Sequence, residues 1–333
     1  MILIDVGAAK EILPRFSGIK NKTLIAFEPD PVAFKDLQKK YSSKNYIIIN
    51  DALSSKEQEL EINFTKKGEC SSIYKPNFEL LKEFPFSERF DVKTKAKIKT
   101  KTIDNVLKMH GLKYPNYMKL DIQGAELEAL KGSINSLKSI CCIELEIEFA
   151  ELYENQPLFS ETEQFLRKKG FEVWDIRRVY QKREGSVFYG YKKGRLVSGD
   201  ALFFKNPNRL LADLKNLKQA EKEKILLNSA EIAKVYGYSD YIEKLHILIS
   251  EIPTDKLFYD RDWMFKKLNA GLEGKLSVYS RKNRLTTDSM FSEVRYKFSK
   301  FLSTKLSSIA ERINPYDSSF KTGDSRLGNR KIK

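Results

Sequence analysis

Histidine and cysteine are scarce in this 333-residue chain, which contains two histidines and three cysteines. Cys70, Cys141 and Cys142 are too few for a disulfide framework and lack the paired CxxC spacing of a zinc site. We expect them to be reduced, and the adjacent Cys141 and Cys142 lie in an apolar run that favours core packing. Because histidine ligands are almost missing, we predict no metal site and expect carboxylates to perform acid–base chemistry.

Long apolar runs are missing as well. No window reaches the roughly 18 apolar residues of a membrane span, and the first residues, MILIDVGAAKE, lack the basic and apolar regions of a signal peptide. Hydrophobic residues make up 41% of the chain and charged residues 32%, a composition typical of globular proteins. These features favour a cytoplasmic protein.

Acidic residues are outnumbered, with 45 Asp and Glu against 60 Lys and Arg and a net charge of +15. The excess is concentrated near the end, since residues 275–333 contain 14 Lys and Arg but 5 Asp and Glu. Such a surplus suits an anionic partner, which could be a nucleic acid, a phospholipid surface or a phosphate-linked substrate. A solvated charged face is the alternative interpretation.

Short β-branched runs alternate with helical patterns through residues 1–205, which predicts βαβ units and a mainly parallel sheet. The predicted strands are residues 2–6, 23–28, 46–50, 117–122, 141–146, 171–176 and 201–205, and the predicted helices are 31–42, 103–110, 124–137 and 160–169. The Lys-rich stretch 60–102 breaks this rhythm and indicates an inserted hairpin and loop. The last two strands are joined by a turn-rich segment without a crossover helix, so we predict that they pair antiparallel.

Two further regions follow the α/β domain. Residues 206–274 carry helical patterns, RLLADLKNLKQAEKEKILL and SAEIAKVYG followed by SDYIEKLHILI, and predict a helical extension. Residues 275–333 form a basic tail that we expect to be partly helical and partly disordered. Its segment 291–313 places several apolar side chains on one helical face, a pattern that suits peripheral contact with an anionic membrane. Packing of that face against the protein is the alternative.

Polar residues follow the first two predicted strands in a pattern that suits an adenosine cofactor. Asp5, Gly7 and Ala8 end the first strand, where a small residue lets the backbone approach a ligand, although the full GxGxxG pattern is absent. Glu28 and Pro29 end the second strand, and a carboxylate at this place accepts hydrogen bonds from both ribose hydroxyls. A surface acid at a helix start is the alternative for Glu28.

The third and fourth motifs lie at the ends of later strands. Asp51 is placed to reach an adenine amino group while Ala52 leaves space for the ring, and an ordinary Asx turn is the alternative. In KLDIQGAE, Asp121 lies at the carboxyl edge of the sheet, where open α/β folds bind ligands. Glu144, which the pattern places at the end of the fifth strand, is a second acid at this edge.

The series IDVGA, AFEPDP, NDALS, KLDIQGAELEALKG and IELE resembles, in order and spacing, the FkbM family of S-adenosylmethionine-dependent methyltransferases, and DALFF resembles its last strand. The resemblance covers about residues 1–205. It implies a class I methyltransferase fold, a Rossmann-like seven-stranded sheet with an antiparallel final strand, and S-adenosylmethionine as cofactor. It also implies a set of acceptor-binding residues, namely Ser71, Ser72, Lys119, Gln123 and Glu126.

The chain departs from the family pattern in two places. Glu11 stands where many members have glycine. The sequence also begins directly on the first strand, so we expect the cofactor to be covered by the 60–100 insertion or by the C-terminal helices.

These residues predict methyl transfer from S-adenosylmethionine to a hydroxyl of a saccharide or related natural product. Asp121 is the first candidate for the base that removes the hydroxyl proton, and Glu144 is the second. Two alternatives stay open: a non-catalytic adenosine-binding or scaffold protein, and a nucleic-acid methyltransferase. The second lacks an N/D-PP-Y/F motif, so we do not expect a nucleic-acid partner. A dehydrogenase is disfavoured because GxGxxG is missing.

Overall fold

Ten strands and eight α-helices alternate along the part of the chain that the computed structural model describes, residues 1–8, 11–185 and 194–250. In chain order they are β1 (Ile2–Val6), β2 (Thr23–Phe27), α1 (Pro31–Lys40), β3 (Tyr46–Ile49), β4 (Ala52–Leu53), β5 (Glu59–Thr65), α2 (Phe78–Leu81), β6 (Val92–Lys101), α3 (Ile103–Met109), β7 (Tyr117–Leu120), α4 (Glu126–Lys131), β8 (Cys142–Glu148), α5 (Phe159–Lys168), β9 (Phe171–Gln181), β10 (Arg195–Lys205), α6 (Pro207–Asp213), α7 (Gln219–Tyr236) and α8 (Ser239–Ser250).

Seven of these strands form one sheet in the order β3-β2-β1-β7-β8-β10-β9. Strands β1, β2, β3, β7 and β8 pair in parallel, and β10 runs antiparallel to both β8 and β9. The predicted seven-stranded sheet with an antiparallel end is therefore confirmed. The strand order reverses beside β1, which pairs with both β2 and β7, so a crevice opens there at the carboxyl ends of the strands.

One face of the sheet is apolar and packs against α3, α4 and α5. The side chains of Ile4, Ile25, Met118, Ile143 and Phe203, one from each of five strands, belong to a single buried cluster. Helical residues that complete the cluster are Ile103, Val106, Leu107, Ala129, Leu130 and Leu166. Burial of apolar surface at about 25 cal/mol per Å² makes this layer the main source of stability for the sheet.

Aromatic residues of α7 and α8 cover the opposite face near β7, β9 and β10. Tyr236 lies 6.3 Å from Tyr117 and 6.0 Å from Phe204 between ring centroids, and Trp174 lies 5.4 Å from Tyr241. The fully buried Cys141 and Cys142 lie in the same layer, as predicted for core cysteines. The helical extension therefore packs directly on the sheet.

The boundaries of the helices in the extension differ from those predicted. The pattern RLLADLKNLKQAEKEKILL is divided between α6 and α7, because a new helix begins after Lys218, whose backbone N–H donates to Glu221 Oε2 at 3.1 Å. Helix α7 continues through Ser229 and so joins the end of this pattern to SAEIAKVYG. The Ser229 hydroxyl donates to the carbonyl of Ile225 at 2.8 Å, so the serine is satisfied inside a continuous helix.

The 60–102 stretch contains the predicted hairpin. Strands β5 and β6 pair antiparallel, and β4 pairs in parallel with β6. Between β5 and β6 the chain forms a second buried cluster with the segment that follows β8, in which Cys70, Phe84 and Phe90 contact Leu152 and Tyr153. The insertion is thereby held beside the carboxyl end of β8.

Several predictions fall outside the described residues. They are the basic tail 275–333 with its amphipathic segment, the boundary at residue 274 and part of the turn-rich segment before β10. Among the helices that are described, none is both long and apolar enough to cross a membrane.

Candidate functional site

A row of charged residues crosses three neighbouring strands of the sheet. Asp5 on β1, Lys119 on β7 and Glu144 on β8 are register partners, so their side chains share one face. Lys119 Nζ lies 4.0 Å from Asp5 Oδ1 and 3.4 Å from Asp121 Oδ2. Burial acts to lower the pKa of Lys119, but the carboxylates of Asp121, Asp5 and Glu144 outweigh it and the net pKa is raised. Lys119 is therefore a half-buried cation that pairs with a group of acids.

The turn after β1 brings the backbone of two strands close together. Gly7 has φ +84, and a Cβ on it would lie 2.1 Å from the carbonyl oxygen of Asp121. Gly7 N donates to Phe27 O at 3.0 Å, and Asp121 N donates to Val6 O at 3.0 Å. Only glycine fits this approach, which sets Gly7 against the backbone of Asp121 at the switch point.

Asp5 lies beneath this turn and is almost fully buried. Its Oδ2 accepts a hydrogen bond from Leu13 N at 3.1 Å, whereas Oδ1 has no hydrogen-bond partner among the described residues. Burial raises the pKa of Asp5 to about 6, and Lys119 opposes this shift. The unused Oδ1 is an acceptor suited to a cationic or hydrogen-bond-donating group.

Glu28 follows β2 at the same edge of the sheet. Its Oε1 accepts a hydrogen bond from Asp30 N at 2.9 Å, and within the described part of the chain no hydrogen bond reaches Oε2. Asn50 donates from Nδ2 to the carbonyls of Glu28 and Pro29 at 2.8 and 3.1 Å, which ties the ends of β2 and β3 together. Burial raises the pKa of Glu28. One carboxylate oxygen is thus fixed and the other is left available.

Asp51 and Ala52 lie beyond the end of β3. Asp51 Oδ2 forms an ion pair with Lys101 Nζ at 2.8 Å, which links the third motif to the inserted hairpin. Ala52 begins β4 and is half-buried. Glu11, at the position where glycine is common, is exposed and pairs with Lys40 at 3.1 Å.

The loop that follows β7 adopts left-handed backbone at two successive residues. Gln123 has φ +56 and Gly124 has φ +93. The Ser72 hydroxyl donates to the carbonyl of Gln123 at 2.7 Å, and Glu126 Oε1 accepts from Ile122 N at 2.7 Å. Left-handed backbone at a residue other than glycine is unfavourable, so these contacts are what hold the loop in shape.

Of the acids around this loop, Glu126 and Glu148 are buried and Glu146 is half-buried. Desolvation raises the pKa of Glu126 to about 7 and raises that of Glu146 and Glu148 well above the ordinary value. Asp121 adds to the shift in all three by charge repulsion. The described residues contain no group of three or more His, Cys, Asp or Glu arranged to hold a metal ion.

The serine pair lies in the insertion next to this loop. Ser71 Oγ accepts a hydrogen bond from Thr65 N at 3.1 Å, and Ser72 Oγ accepts from Tyr74 N at 3.0 Å while donating to Gln123. Both serines therefore shape the loop from the side of the insertion. The structure brings Ser72, Gln123 and Asp121 together, as the motif order predicts for one site.

Glu144 occupies a different place from the one predicted. Strand β8 continues to Glu148, so Glu144 lies in the middle of the strand rather than at its end. Its Oε2 accepts hydrogen bonds from Tyr117 at 3.2 Å and Tyr236 at 2.5 Å, and Arg15 lies 3.8 Å away. Glu144 is therefore surrounded by donors below the carboxyl edge.

Sequence reasoning missed several aromatic and basic residues of this region. Tyr153 donates to Gln123 Oε1 at 3.0 Å, and Arg15 stacks over the ring of Tyr236 with 4.5 Å between its Cζ and the centroid. In the sequence these tyrosines have the spacing of core residues. Their partners lie far along the chain, so no local pattern reveals them.

The sheet order, the single antiparallel strand and the acid after β2 define a class I methyltransferase fold. The model of the FkbM methyltransferase domain matches residues 5–173, and the chain belongs to this family. Comparison with curated proteins gives no match.

Two solved structures are among those similar to the chain. The methyltransferase FkbM from Methylobacillus flagellatus KT is 16% identical with a TM-score of 0.34, and the match covers 61% of this chain and 42% of that one. A SAM-dependent methyltransferase from Anabaena variabilis ATCC 29413 is 11% identical with a TM-score of 0.32, and the match covers 62% of this chain and 77% of that one. The chain thus spans less than half of the Methylobacillus protein.

Proposed function

We propose that this protein transfers a methyl group from S-adenosylmethionine to a hydroxyl oxygen of a saccharide or a related natural product. The observation that carries the proposal is the place of Glu28 and Asp121. They follow β2 and β7, the two neighbours of β1, and so stand on either side of the Gly7 turn. Glu28, the proposed cofactor-binding acid, and Asp121, the proposed acid on the acceptor side, then lie on either side of one crevice.

The residues of this crevice fit the cofactor. Oε2 of Glu28 is available for ribose hydroxyls, and Oδ1 of Asp5 is a buried acceptor without a hydrogen bond among the described residues. Gly7 and Ala8 would lie under the methionine portion, with Pro29, Asp51 and Ala52 around the adenosine. When bound, S-adenosylmethionine supplies a methyl group on an electrophilic sulfonium.

The protein's own contribution is to align the acceptor and to remove its proton. Asp121 is the proposed base, since it lies at the crevice with Lys119 as counter-charge 3.4 Å from Oδ2. The inserted segment supplies Ser71 and Ser72 beside the loop, and Lys119, Gln123 and Glu126 complete the proposed acceptor side. Of the two proposed covers of the cofactor, the insertion contacts this region through Ser72, whereas α7 contacts Glu144, below the carboxyl edge, through Tyr236.

The test is transfer of isotopically labelled methyl groups into glycan and lipid-linked glycan fractions, with the product located by mass spectrometry. We expect label in a saccharide hydroxyl. Asp121→Asn should keep cofactor affinity within a few-fold and lower turnover by on the order of a hundredfold, as for loss of a general base. Asp36→Asn on the exposed face of α1 is the control and should leave turnover unchanged.

Other outcomes would replace the proposal. Cofactor binding without transfer to any fraction identifies a non-catalytic adenosine-binding protein. Label that enters RNA or DNA, with salt-dependent affinity, identifies a nucleic-acid methyltransferase. A fully active Asp121→Asn removes Asp121 from the role of base.

A further inference from the structure

Gln123 lies between two acidic side chains from different strands. Its Nε2 donates to Asp121 Oδ1 at 3.2 Å and to Glu146 Oε2 at 2.5 Å. An amide nitrogen carries two hydrogens, so these two carboxylates use both of them. The amide therefore joins the end of β7 to β8 through one nitrogen atom.

Tyr153 contacts the other end of the Gln123 amide. Its hydroxyl lies 3.0 Å from Gln123 Oε1 and 2.9 Å from the carbonyl oxygen of Cys70, and both of these atoms are acceptors. The hydroxyl has one hydrogen, which these two acceptors share. The carboxylates of Asp121 and Glu146 accept both hydrogens of Nε2, so the amide oxygen is the end that faces Tyr153, and a flipped amide would set its oxygen against the two acids.

The backbone of Gln123 is restrained independently of its side chain. Left-handed φ of +56 at this residue is held by the hydroxyl of Ser72, which donates to its carbonyl at 2.7 Å. Ser72 and Cys70 belong to the insertion, and Tyr153 belongs to the segment after β8 that packs against it. The insertion thus fixes both the backbone and the amide of Gln123.

We propose that Gln123, held by Tyr153, is a positioning residue that fixes Asp121 and Glu146 in place as one coupled carboxyl pair. This deepens the proposed function, on which it rests only in taking Asp121 as the base. Two carboxyl groups held on one amide titrate together, and different surroundings separate their proton affinities. Asp121 has Lys119 as counter-charge, whereas burial, repulsion by Asp121 and nearby acids, and a direct side-chain hydrogen bond with Asp121 raise the pKa of Glu146.

The charged groups that face this pair come from every neighbouring element. They are Asp5 on β1, Lys119 on β7, Glu126 on α4, Glu148 on β8, and the ion-paired Arg177 and Asp200, of which Asp200 is the β10 register partner of Glu146. Glu126 and Glu148 are acids, so they favour retention of a proton by the pair. In this arrangement burial and the neighbouring acids favour the protonated form of Glu146, and Lys119 favours the charged form of Asp121, the form that accepts a proton from the acceptor hydroxyl.

The test is a carbon-13 NMR titration of the side-chain carboxyls in the full-length protein, with resonances assigned from Asp121→Asn and Glu146→Gln. In the wild-type protein we expect Asp121 and Glu146 to titrate in two coupled steps. Tyr153→Phe keeps the ring but removes the hydroxyl that holds the Gln123 amide. The hydrogen bond from the amide to the charged carboxylate should then be lost, which raises the lower of the two titration midpoints by about one pH unit.

A matched control separates this effect from simple loss of a buried hydroxyl. Tyr241 is buried and donates to the carbonyl of Lys205 at 2.8 Å, so Tyr241→Phe removes a similar bond far from the pair. It should leave both midpoints unchanged. Gln123→Gly removes the amide at a residue whose backbone suits glycine, and it should raise the lower midpoint as Tyr153→Phe does.

The double variant gives the decisive comparison. If Tyr153 acts through Gln123, Tyr153→Phe produces no further shift in the Gln123→Gly background. Independent titration of the two acids in the wild type, unchanged midpoints in Tyr153→Phe, or additive shifts in the double variant would each overturn the proposal. The titration needs no methyl acceptor. Its result can therefore be interpreted even if the proposed methyl transfer is not observed.

Discussion

At the scale of single residues, we expect substitution of Glu28 to have the largest effect on cofactor affinity. One carboxylate oxygen is held by Asp30 N and the other is available for the ribose. Glu28→Ala should weaken binding of S-adenosylmethionine by roughly 1.5–3 kcal/mol, the range for hydrogen bonds to a charged group. Calorimetry measures this directly. Glu61→Ala, which removes an exposed acid of the hairpin, is the control, and equal affinities of the two folded variants would exclude Glu28 from the cofactor site.

Glu126 should make folding stability depend on pH. Its folded pKa of about 7 lies above the ordinary 4.5, so between these values the folded state binds more protons than the unfolded state. The free energy of unfolding therefore falls as pH rises through this window, by up to roughly 3 kcal/mol, and the loss is complete above the folded pKa.

Glu126→Gln isolates this contribution because its amide oxygen can still accept from Ile122 N. Denaturant unfolding at pH 5 and pH 8 should show a smaller loss of stability in the variant than in the wild type. Glu59→Gln on the exposed hairpin is the control. An identical pH dependence in Glu126→Gln and the wild type contradicts the assignment.

At the scale of elements, the turn after β1 depends on a glycine. Gly7→Ala would set its Cβ 2.1 Å from the carbonyl of Asp121 at φ +84, so we expect a loss of about 2–4 kcal/mol in unfolding free energy. Gly18 has open space around it, and Gly18→Ala should change stability by less than about 1 kcal/mol. Similar melting temperatures for the two variants would show that the turn tolerates a side chain.

The strands of the sheet were predictable because their apolar, β-branched runs are continuous. The ends of the strands were less predictable. Strands β9 and β10 extend well past their predicted bounds, because charged residues such as Arg177 and Asp200 pair with each other across the two strands. Helix α4 ends at Lys131, earlier than its pattern, because Gly132 lies against the carbonyl of Ser54. Such contacts between distant segments leave no local signal.

The candidate site was partly predictable for a similar reason. Acids at strand ends, such as Glu28 and Asp121, are visible because parallel strands bring their carboxyl ends to one edge. The tyrosines that orient or surround acids were not, because Tyr153 and Tyr236 have the spacing of core residues and meet their partners only in the folded chain. Which hydroxyl faces which carboxylate is decided by packing.

At the scale of the whole molecule, the surplus of positive charge invites a test of membrane contact. Residues 275–333 hold 14 Lys and Arg against 5 Asp and Glu, and each basic residue near an anionic headgroup adds about 1 kcal/mol. We propose that the full chain sediments with anionic vesicles and that a chain ending at Gly274 does not. Neutral vesicles are the control. Equal sedimentation of both chains would indicate that the excess of Lys and Arg in residues 275–333 faces solvent and does not bind the membrane.

The most direct test of the account is a crystal structure of the full-length protein with S-adenosylhomocysteine. We predict ligand density at the carboxyl ends of β1 and β2, with the ribose hydroxyls on Glu28, the amino-acid portion over Gly7 and the sulfur turned toward Asp121. Density at another edge of the sheet, or a ribose away from Glu28, would contradict it.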